Sequence, residues 1–280
     1  MNNKLISVVI CVKNGEQTII KCIESILRNN PYEIIIVDGN STDKTIEICK
    51  NFNVKILKDD GRGLGYARNL ALDYVKTKFI FYVGPDDILT DNSLNSLIEY
   101  FEKVNWVGMS PLVEVIKSNK TYAGKCLNLL RKIKNFEGEK KIIGTPWIYY
   151  THILKKYRYD NYLTYSDDSD LSQRMQNDNL KVGVSNVLCF TSGDHNLKTV
   201  FSRWKMYGQS DSEYYNKYIL NLNLKRKLIS LLSPLKKELF IPLISFRVTI
   251  IDKLYMLPYL LLLVISRYYG WIISKKINGR

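Results

Sequence analysis

The amino-acid sequence predicts an α/β protein with a doubly wound, mostly parallel sheet, followed by a helical C-terminal tail. Continuous apolar, β-branched runs at Ile6–Val12 and Glu33–Val37 are typical of strands buried on both faces of a parallel sheet. Segments with helical spacing of apolar residues separate such runs, and a polar loop follows each run. This alternation of strands and helices places the strands in parallel and their polar loops along one sheet edge.

The alternation covers the first third of the chain. The predicted elements are a strand over 6–12, a helix over 16–27, a strand over 33–37, a helix over 44–52, a strand over 54–57, a helix over 67–75 and a strand over 79–83. Asn14, Asp38 and Asp86 follow three of these strands. Because ligands of open α/β sheets bind beyond the carboxyl ends of the strands, we expect these polar residues to meet at a binding edge.

A glycine cluster, Gly61-Arg62-Gly63-Leu64-Gly65, precedes the third predicted helix. It lacks the G-x-G-x-x-G spacing of a dinucleotide site and follows the third strand rather than the first, which removes the main support for an oxidoreductase. Two interpretations stand for Arg68 in that helix. It either contacts a nucleotide base or phosphate, or it lies on a solvated helix face.

The net charge of +14 is concentrated near the C terminus. Residues 216–280 carry twelve Lys and Arg against two acidic residues, and they include the apolar stretches 239–246 and 254–266. Each stretch is shorter than the roughly 20 residues of a spanning helix, and Pro242 and Pro258 are expected to break or kink helices there. We therefore predict one domain over 1–215 and a basic, apolar helical tail over 216–280.

The tail has the composition of an in-plane membrane anchor, which combines apolar faces with basic clusters. Lys225-Arg226-Lys227 and Lys236-Lys237 are such clusters, and Tyr268, Tyr269 and Trp271 are interfacial aromatics. The alternative is a basic helical subdomain packed on the core or on a second subunit. No nucleic-acid partner is expected, because the basic residues alternate with aliphatic runs rather than with stacking aromatics.

The cysteines and the N terminus predict a cytoplasmic protein. The five cysteines are scattered and form no C-x-x-C pair, which argues against a zinc site and a disulfide framework and fits a reducing compartment. The apolar run that opens the chain is too short for a signal peptide. We expect the chain to reside in the cytoplasm, peripherally on the inner face of the cell membrane.

The segment Leu163–Gln176 (LTYSDDSDLSQRMQ) places three carboxylates, Asp167, Asp168 and Asp170, at the start of a predicted helix. Carboxylates this close repel one another unless cations, helix N-terminal amides or a metal compensate. The segment is either a capped helix start, since Asp and Ser are ordinary there, or the site of a carboxylate base.

Four motifs taken together resemble the family-2 glycosyltransferases, which have the GT-A fold. The motifs are ISVVICVKNGEQTIIKCIESIL, EIIIVDGNSTDKTIEIC, DDGRGLGYARNLAL and FIFYVGPDDIL, and the similarity resumes at Gly144-Thr145-Pro146 and over 166–174. The resemblance implies a GT-A domain over 1–215 that transfers a sugar from a nucleotide-sugar donor, usually with inversion and with Mn²⁺ or Mg²⁺. The expected donor is a UDP-sugar.

The resemblance also implies which residues bind the donor nucleotide. Val12, Asn14 and Glu16, in the loop after the first strand, would hold the base and ribose together with Asp38 and Arg68.

Five further residues receive roles in the same way. Asp86 corresponds to the metal-binding aspartate of the family's D-x-D motif. Asp168 corresponds to the catalytic base of its E-D pair, and Asp167 fills the Glu position. Arg203 either contacts the donor diphosphate or is structural, and His195 is either a further metal ligand or an ordinary loop residue.

Sugar transfer needs these residue types. The leaving nucleoside diphosphate gathers negative charge that a divalent cation stabilises, and hard cations prefer carboxylate oxygen. On the opposite face of the anomeric carbon, a carboxylate must accept the proton of the acceptor hydroxyl. One carboxylate on each side of the sugar therefore suits a single in-line displacement.

The chain departs from the family pattern in two places. Gly84 replaces the first Asp of D-x-D, and Asp87 either compensates for it or caps the following helix. Residues 200–204 keep the Arg and Trp of the processive Q-x-x-R-W motif but lack its Gln, which favours addition of one sugar. Trp147 and Tyr149 are either an acceptor platform or, as the safer interpretation, core residues.

The sequence thus predicts an inverting, metal-dependent glycosyltransferase that adds one sugar to a glycan or polyprenyl-linked acceptor at the cytoplasmic membrane face. The alternative is a catalytically degenerate GT-A protein that binds nucleotide and acts as a membrane scaffold, an interpretation that Gly84 supports and the Asp167–Asp168 pair opposes.

Overall fold

The structure is a computed structural model that describes residues 3–116, 121–163, 166–192, 196–219 and 224–277. The chain folds into two compact units that interleave in sequence. Unit 1 comprises residues 1–116 and 136–193, and unit 2 comprises residues 117–135 and 194–280. The division at residue 215 that composition predicts stays a prediction.

Unit 1 is built on a mixed sheet with nine strands among the described residues. The strands are β1 (Asn3–Val12), β2 (Pro31–Asp38), β3 (Lys55–Lys58), β4 (Phe79–Val83), β5 (Asp87–Leu89), β6 (Gly108–Val115), β7 (Gly138–Lys140), β8 (Trp147–Tyr150) and β9 (Val182–Thr191). Their order is β3-β2-β1-β4-β8-β6-β9-β5, with β7 paired to β9. The longest ladders, β1–β2 and β6–β9, are parallel, whereas β8 runs antiparallel to β4 and β6.

Some helices belong to unit 1 and others to unit 2. They are α1 (Ile19–Leu27), α2 (Thr45–Cys49), α3 (Leu64–Tyr74), α4 (Ser93–Lys103), α5 (Tyr122–Lys134), α6 (Thr151–Tyr157), α7 (Asp167–Asn177), α8 (Leu197–Tyr218), α9 (Leu224–Leu235), α10 (Ile241–Ile244) and α11 (Ile250–Ile277). A π-helical segment, Lys236–Phe240, joins α9 to α10. Helix α5 and the helices from α8 onward belong to unit 2.

The core of unit 1 covers both faces of the sheet, because successive side chains of a strand point to opposite faces. Val8 and Ile10 of β1 pack in a cluster with residues of α1 and α4. Val9, between them, packs in a second cluster with residues of α3, α6 and α7. The predicted α/β fold with a doubly wound, mostly parallel sheet is confirmed.

The strand register brings three polar loops to one edge. Val12 at the end of β1 pairs with Asp38 at the end of β2, and Ile10 pairs with Val83 at the end of β4. Since all three strands are parallel, the loops that carry Asn14, Asp38 and Asp86 leave the sheet from the same side.

In unit 2, α8 and α11 approach until their backbones touch. A Cβ on Gly208 of α8 would lie 1.9 Å from the carbonyl oxygen of Arg267, and one on Gly270 of α11 would lie 1.9 Å from that of Lys205. Any larger residue at either position would force the helices apart. The two glycines therefore fix how α8 and α11 pack.

Of the two outcomes expected at Pro258, a break or a kink of the tail helix, the structure contradicts the break. Helix α11 continues through Pro258 over 28 residues. A proline inside a helix removes one backbone hydrogen bond, and the neighbouring rings of Tyr255 and Tyr259 pack against Tyr122 of α5. In the described part of the chain, residues 250–274 form one helix long and apolar enough to cross a membrane, and 50% of its most apolar window is buried inside the protein.

Replacing Gly208 with Ala tests the close crossing. Helix propensity alone predicts a gain of up to about 1 kcal/mol for this substitution. We expect instead a loss of about 1–3 kcal/mol in the free energy of unfolding, because the new methyl group collides with the Arg267 carbonyl. Chemical denaturation followed by circular dichroism measures the difference.

The matched control is Ser202→Ala at an exposed position of the same helix, which should change stability by no more than about 0.5 kcal/mol. A Gly208→Ala protein as stable as the control would contradict the backbone contact.

Candidate functional site

The loops after β1 and β2 are bound to each other at the sheet edge. The backbone N–H of Asn14 donates to Ser41 Oγ (3.0 Å), and Asn14 Oδ1 accepts from the N–H of Thr42 (2.8 Å). Glu16 Oε2 accepts from the N–H of Lys44 (3.0 Å). Asn14 has a left-handed φ of 56°, a conformation that Asn tolerates better than most residues. The two predicted donor-binding residues therefore also shape the loop over 38–45.

Val12 and Asp38 occupy different surroundings at this edge. The Val12 side chain is buried in the core, and its carbonyl accepts from the N–H of Gly39 (2.8 Å). Asp38 is buried as well, and its Oδ1 accepts from the N–H of Ser41 (3.0 Å). Val12 therefore shapes this edge through its backbone carbonyl, whereas Asp38 places a carboxylate there.

Asp59, after β3, is a second buried carboxylate that the sequence interpretation missed. Its Oδ1 accepts from the N–H of Gly61 (2.7 Å). Burial raises the pKa of Asp59, and the nearby charge of Asp38 acts in the same direction. The signal was available in DDGRGLG, where Asp59 directly follows a strand. Two neighbouring carboxylates at one sheet edge are suited to accept hydrogen bonds from a ribose or a base.

The loop over 84–87 is held by its own carboxylates. Asp87 Oδ2 accepts from the N–H of Gly84 (2.8 Å), and Asp87 lies in β5, well before α4 begins at Ser93. Asp87 therefore does not cap that helix. A Cβ on Gly84 would lie 3.0 Å from oxygens of both Asp86 and Asp87, so an Asp at position 84 would crowd two carboxylates.

Asp86 is anchored from one side. Its Oδ2 accepts from Thr191 Oγ1 (3.1 Å), and its carbonyl accepts from the N–H of Ser192 (2.8 Å). No cluster of three or more His, Cys, Asp or Glu side chains suited to a metal lies among the described residues. His195 lies outside the described residues. Asp86 still fits a hard divalent cation, because Mg²⁺ is commonly held by one or two carboxylates while substrate phosphates and water complete its shell.

Arg68 joins the two aspartates at the start of α7. Its Nη1 donates to Asp167 and to Asp168 Oδ1 (2.5 Å), and its Nη2 donates to Thr145 Oγ1 (2.9 Å). Arg68 and Asp167 are buried, whereas 26% of the Asp168 side chain is exposed. One cation thus compensates two carboxylates, and only the Asp168 carboxyl reaches solvent.

Aromatic side chains fix Arg68 in this position. The guanidinium carbon lies 4.4 Å from the ring centroid of Trp147 and 5.2 Å from that of Tyr159, within the range of cation–π contacts. The hydroxyl of Tyr82 donates to the Arg68 carbonyl (2.7 Å). Trp147 and Tyr149 are buried, so they belong to the core.

The surroundings of Asp168 raise the pKa of its carboxyl. Burial raises this pKa most, the Arg68 cation opposes the rise, and the charge of Asp167 adds to it, so that the resulting pKa is about 8. A carboxyl with a pKa near neutrality is suited to exchange a proton with a substrate hydroxyl. The third carboxylate of the segment has a different role: Asp170 is buried and accepts from Arg174 Nε (2.9 Å) within α7.

Arg203 belongs to α8 of unit 2, where it is partly buried. The ring centroid of His152 lies 5.6 Å from that of Tyr150, so His152 packs against an aromatic neighbour. The structure therefore groups the candidate residues of unit 1 into three clusters: the Asn14–Glu16 loop with Asp38, the Asp86 loop, and the Arg68–Asp167–Asp168 cluster.

Comparison with known proteins gives a consistent assignment. The family model described as Glycosyl transferase family 2 matches residues 7–167. Glycosyltransferase GlyG of Streptococcus pneumoniae is 32% identical over 109 residues, which cover 36% of each chain. The glucosyltransferase WfgD of Escherichia coli, named for an α-D-GlcNAc-diphosphoundecaprenol acceptor, is 31% identical over 125 residues, which cover 42% of this chain and 49% of WfgD. The chain thus matches less than half the length of these curated relatives.

Solved structures share the fold over nearly the whole chain. S. aureus TarS 1–349 in complex with UDP-GlcNAc gives a TM-score of 0.54 at 14% identity, covering 99% of this chain and 92% of that chain. The mannosyltransferase PcManGT from Pyrobaculum calidifontis, in complex with GDP-Man and Mn²⁺, gives 0.61 at 13% identity, covering 98% and 86%. Since the family model matches more than half of the chain, the protein belongs to glycosyl transferase family 2, and it has the GT-A fold.

Proposed function

We propose that the protein transfers one sugar, with inversion, from a UDP-sugar to a glycan or polyprenyl-linked acceptor at the cytoplasmic face of the membrane. Asp168 is the catalytic base of this reaction. The observation that carries the proposal is the Arg68–Asp167–Asp168 cluster, in which a buried cation holds two carboxylates and leaves one of them at the surface of the site.

Asp168 has the properties that a base for an acceptor hydroxyl needs. The hydroxyl becomes nucleophilic as its proton leaves, and a carboxylate on the acceptor side takes that proton during attack. Arg68 fixes the orientation of Asp168 Oδ1, so the second oxygen is left to face the acceptor. Asp167 is buried beside it and serves to hold Arg68, which makes Asp167 a positioning residue.

The donor would bind at the sheet edge after β1, β2 and β3. Asp38 and Asp59 accept hydrogen bonds from the nucleoside, and the Asn14–Glu16 loop shapes the wall beside them. The support for a nucleotide-sugar donor comes from relatives in fold, of which TarS is solved with UDP-GlcNAc and PcManGT with GDP-Man.

Asp86 would hold Mn²⁺ or Mg²⁺. The bound cation stabilises the charge that develops on the leaving diphosphate. Asp86 is suited to this role because Thr191 orients one carboxylate oxygen and because Gly84 leaves space beside both carboxylates of the loop. Asp87, which holds the N–H of Gly84, is a positioning residue for this loop.

The acceptor is proposed from the relatives and from the tail. WfgD is named for a diphosphoundecaprenol-linked acceptor, and GgaA of Bacillus subtilis, 32% identical over 110 residues, for minor teichoic acid biosynthesis. Both names refer to glycan assembly at the cell envelope. The apolar helix over 250–274 is compatible with a protein bound to the inner face of the membrane.

Asp168→Asn tests the catalytic role. The amide keeps the shape of the side chain but cannot accept the proton, so kcat should fall by about a hundred- to ten-thousandfold. Donor affinity should stay within a few-fold, because Asp168 contacts no donor in this account. Release of UDP from a panel of UDP-sugars, with and without acceptor, measures the rate, and calorimetry measures the affinity.

Asp91→Asn is the matched control, since Asp91 lies on the surface with 81% of its side chain exposed. An Asp168→Asn enzyme that turns over at the rate of this control would rule Asp168 out as the base.

Asp86→Asn tests the cation site. A neutral amide binds Mn²⁺ much more weakly than a carboxylate, so the Mn²⁺-dependent part of UDP affinity should fall at least about tenfold. Calorimetric titration of UDP into wild-type and variant protein, with Mn²⁺ and then with EDTA, measures this part. Equal UDP affinity of the wild-type protein in Mn²⁺ and in EDTA would show that the donor binds without a metal.

A further inference from the structure

Helix α11 carries its charge on the inside and its apolar side chains on the outside. Its buried Arg267 donates to both carboxylate oxygens of Asp211 in α8 and to Glu238 of the π-helical segment. On the opposite side, Leu254 and Ile265 are 67% and 61% exposed. Helices on a water-exposed surface have the reverse arrangement, so the outer side of α11 is adapted to an apolar environment.

The exposed side of α11 forms a continuous apolar stripe. In the fully described stretch 254–272, the exposed positions carry no charged side chain, and they recur mostly every three or four residues. They are Leu254, Tyr255, Pro258, Leu261, Ile265, Tyr269 and Ile272. The two tyrosines combine an apolar ring with a polar hydroxyl, which suits the boundary between lipid and water.

The stripe continues onto the neighbouring helix of unit 2. The hydroxyl of Tyr268 in α11 donates to the carbonyl of Leu231 in α9 (2.8 Å), so the two helices lie side by side. Helix α9 exposes Leu224, Leu228 and Leu232, at intervals of one helical turn. We call the exposed apolar side chains of α9 and α11 the outer apolar face.

Exposed basic side chains lie beside this face, whereas Glu238 is buried and Asp252 is half-buried. Lys225, Lys236 and Arg247 are exposed. Glu238 is buried, and it is paired with Arg267 and with Lys134 Nζ of α5 (2.8 Å). Asp252 accepts from the N–H and hydroxyl of Thr249 at the start of α11. The exposed charge beside the face is therefore positive, which complements anionic lipid headgroups.

We propose that the outer apolar face inserts in the plane of an anionic lipid surface, with Lys225, Lys236 and Arg247 contacting the headgroups. This inference deepens the proposed function and rests on it for the view that the acceptor is lipid-linked. Phe246, fully exposed between α10 and α11, is the side chain best placed to enter the acyl region first.

The packing of unit 2 favours insertion in the plane over a helix that crosses the membrane. Helix α8 touches α11 at Gly208 and Gly270 and carries Lys205, Glu213 and Lys217. A crossing α11 would draw these charges and the Arg267 ion pairs into the hydrocarbon, where charged groups are costly. With only its outer side in lipid, α11 keeps α8 in water.

Vesicle flotation of the full chain tests the proposal. The protein should float with phosphatidylcholine vesicles that contain about 30% phosphatidylglycerol, and much less with phosphatidylcholine alone. The double variant Leu254→Glu/Ile265→Glu should reduce the bound fraction at least tenfold. Lys236→Ala and Arg247→Ala should each lower the affinity roughly five-fold, an effect that high salt should also produce in the wild-type protein.

Ile20→Glu is the matched control, because Ile20 is an apolar residue of α1 in unit 1 with 42% of its side chain exposed. It should leave flotation unchanged. Circular dichroism melts and the rate of UDP release in vesicle-free buffer verify that every variant is folded. Since α11 packs on α8 only through its inner side, the double variant should retain both properties.

Three results would overturn the proposal. The first is equal flotation of the wild-type protein and the double variant. The second is wild-type protein that resists extraction by alkaline carbonate, which would indicate a helix that crosses the bilayer. The third is a dimer in vesicle-free buffer that the double variant converts to a monomer without any flotation of the wild type, which would assign the face to a second copy of the chain.

The same samples separate this inference from the proposed function. Lost flotation with unchanged sugar transfer to a lipid-free acceptor would refute the lipid contact alone. Intact flotation with no transfer from any UDP-sugar would refute the proposed reaction alone.

Discussion

The candidate site depends on one buried cation that two carboxylates share. Moving Arg68 out of water is costly unless its charge is compensated, and Asp167, Asp168, Thr145 and the ring of Trp147 provide that compensation. The positive charge of Arg68 also offsets the repulsion between the two adjacent aspartates at the start of α7. The compensation is incomplete, since one positive charge faces two negative ones. Asp168 is the carboxyl that reaches solvent, and burial, with the charge of Asp167 adding to it, raises its pKa.

The sheet supplies the complementary half of the site. Parallel strands β1, β2 and β4 end in register, so their loops share one edge. The side chains of Asn14 and Glu16 bind the backbone of the neighbouring loop rather than pointing away from it. These hydrogen bonds preorganise the edge. The loops lose their conformational entropy on folding, so binding of a ligand does not have to order them again. Gly84 also helps to preorganise the edge. The carboxylates of Asp86 and Asp87 occupy the space that a side chain at position 84 would need.

Much of this architecture could be predicted from the sequence, and the exceptions have physical causes. Continuous apolar runs predicted the parallel strands β1 to β4, and the order and spacing of the motifs predicted the family. The partner of Arg68 was not predictable, because Asp167 lies 99 residues away and only the folded chain brings them together. Asp59 was missed although its place directly after a strand was a usable signal, because the glycines that follow it drew the interpretation of that motif. The break that was one of two outcomes expected at Pro258 does not occur, and buried neighbours such as Met256 and Tyr259 hold the helix there.

The most direct test of the account is the pH dependence of kcat in the wild-type enzyme and in Arg68→Gln, with Arg68→Lys as the charge-conserving control. The Arg68 cation lowers the pKa of Asp168, and only the deprotonated carboxyl accepts a proton. Loss of the cation should therefore raise this pKa and move the acid limb of the profile to higher pH. The control should move it less, and circular dichroism melts should confirm that both variants are folded. An unmoved acid limb combined with a large loss of donor affinity would show that Arg68 binds the donor and does not position the base.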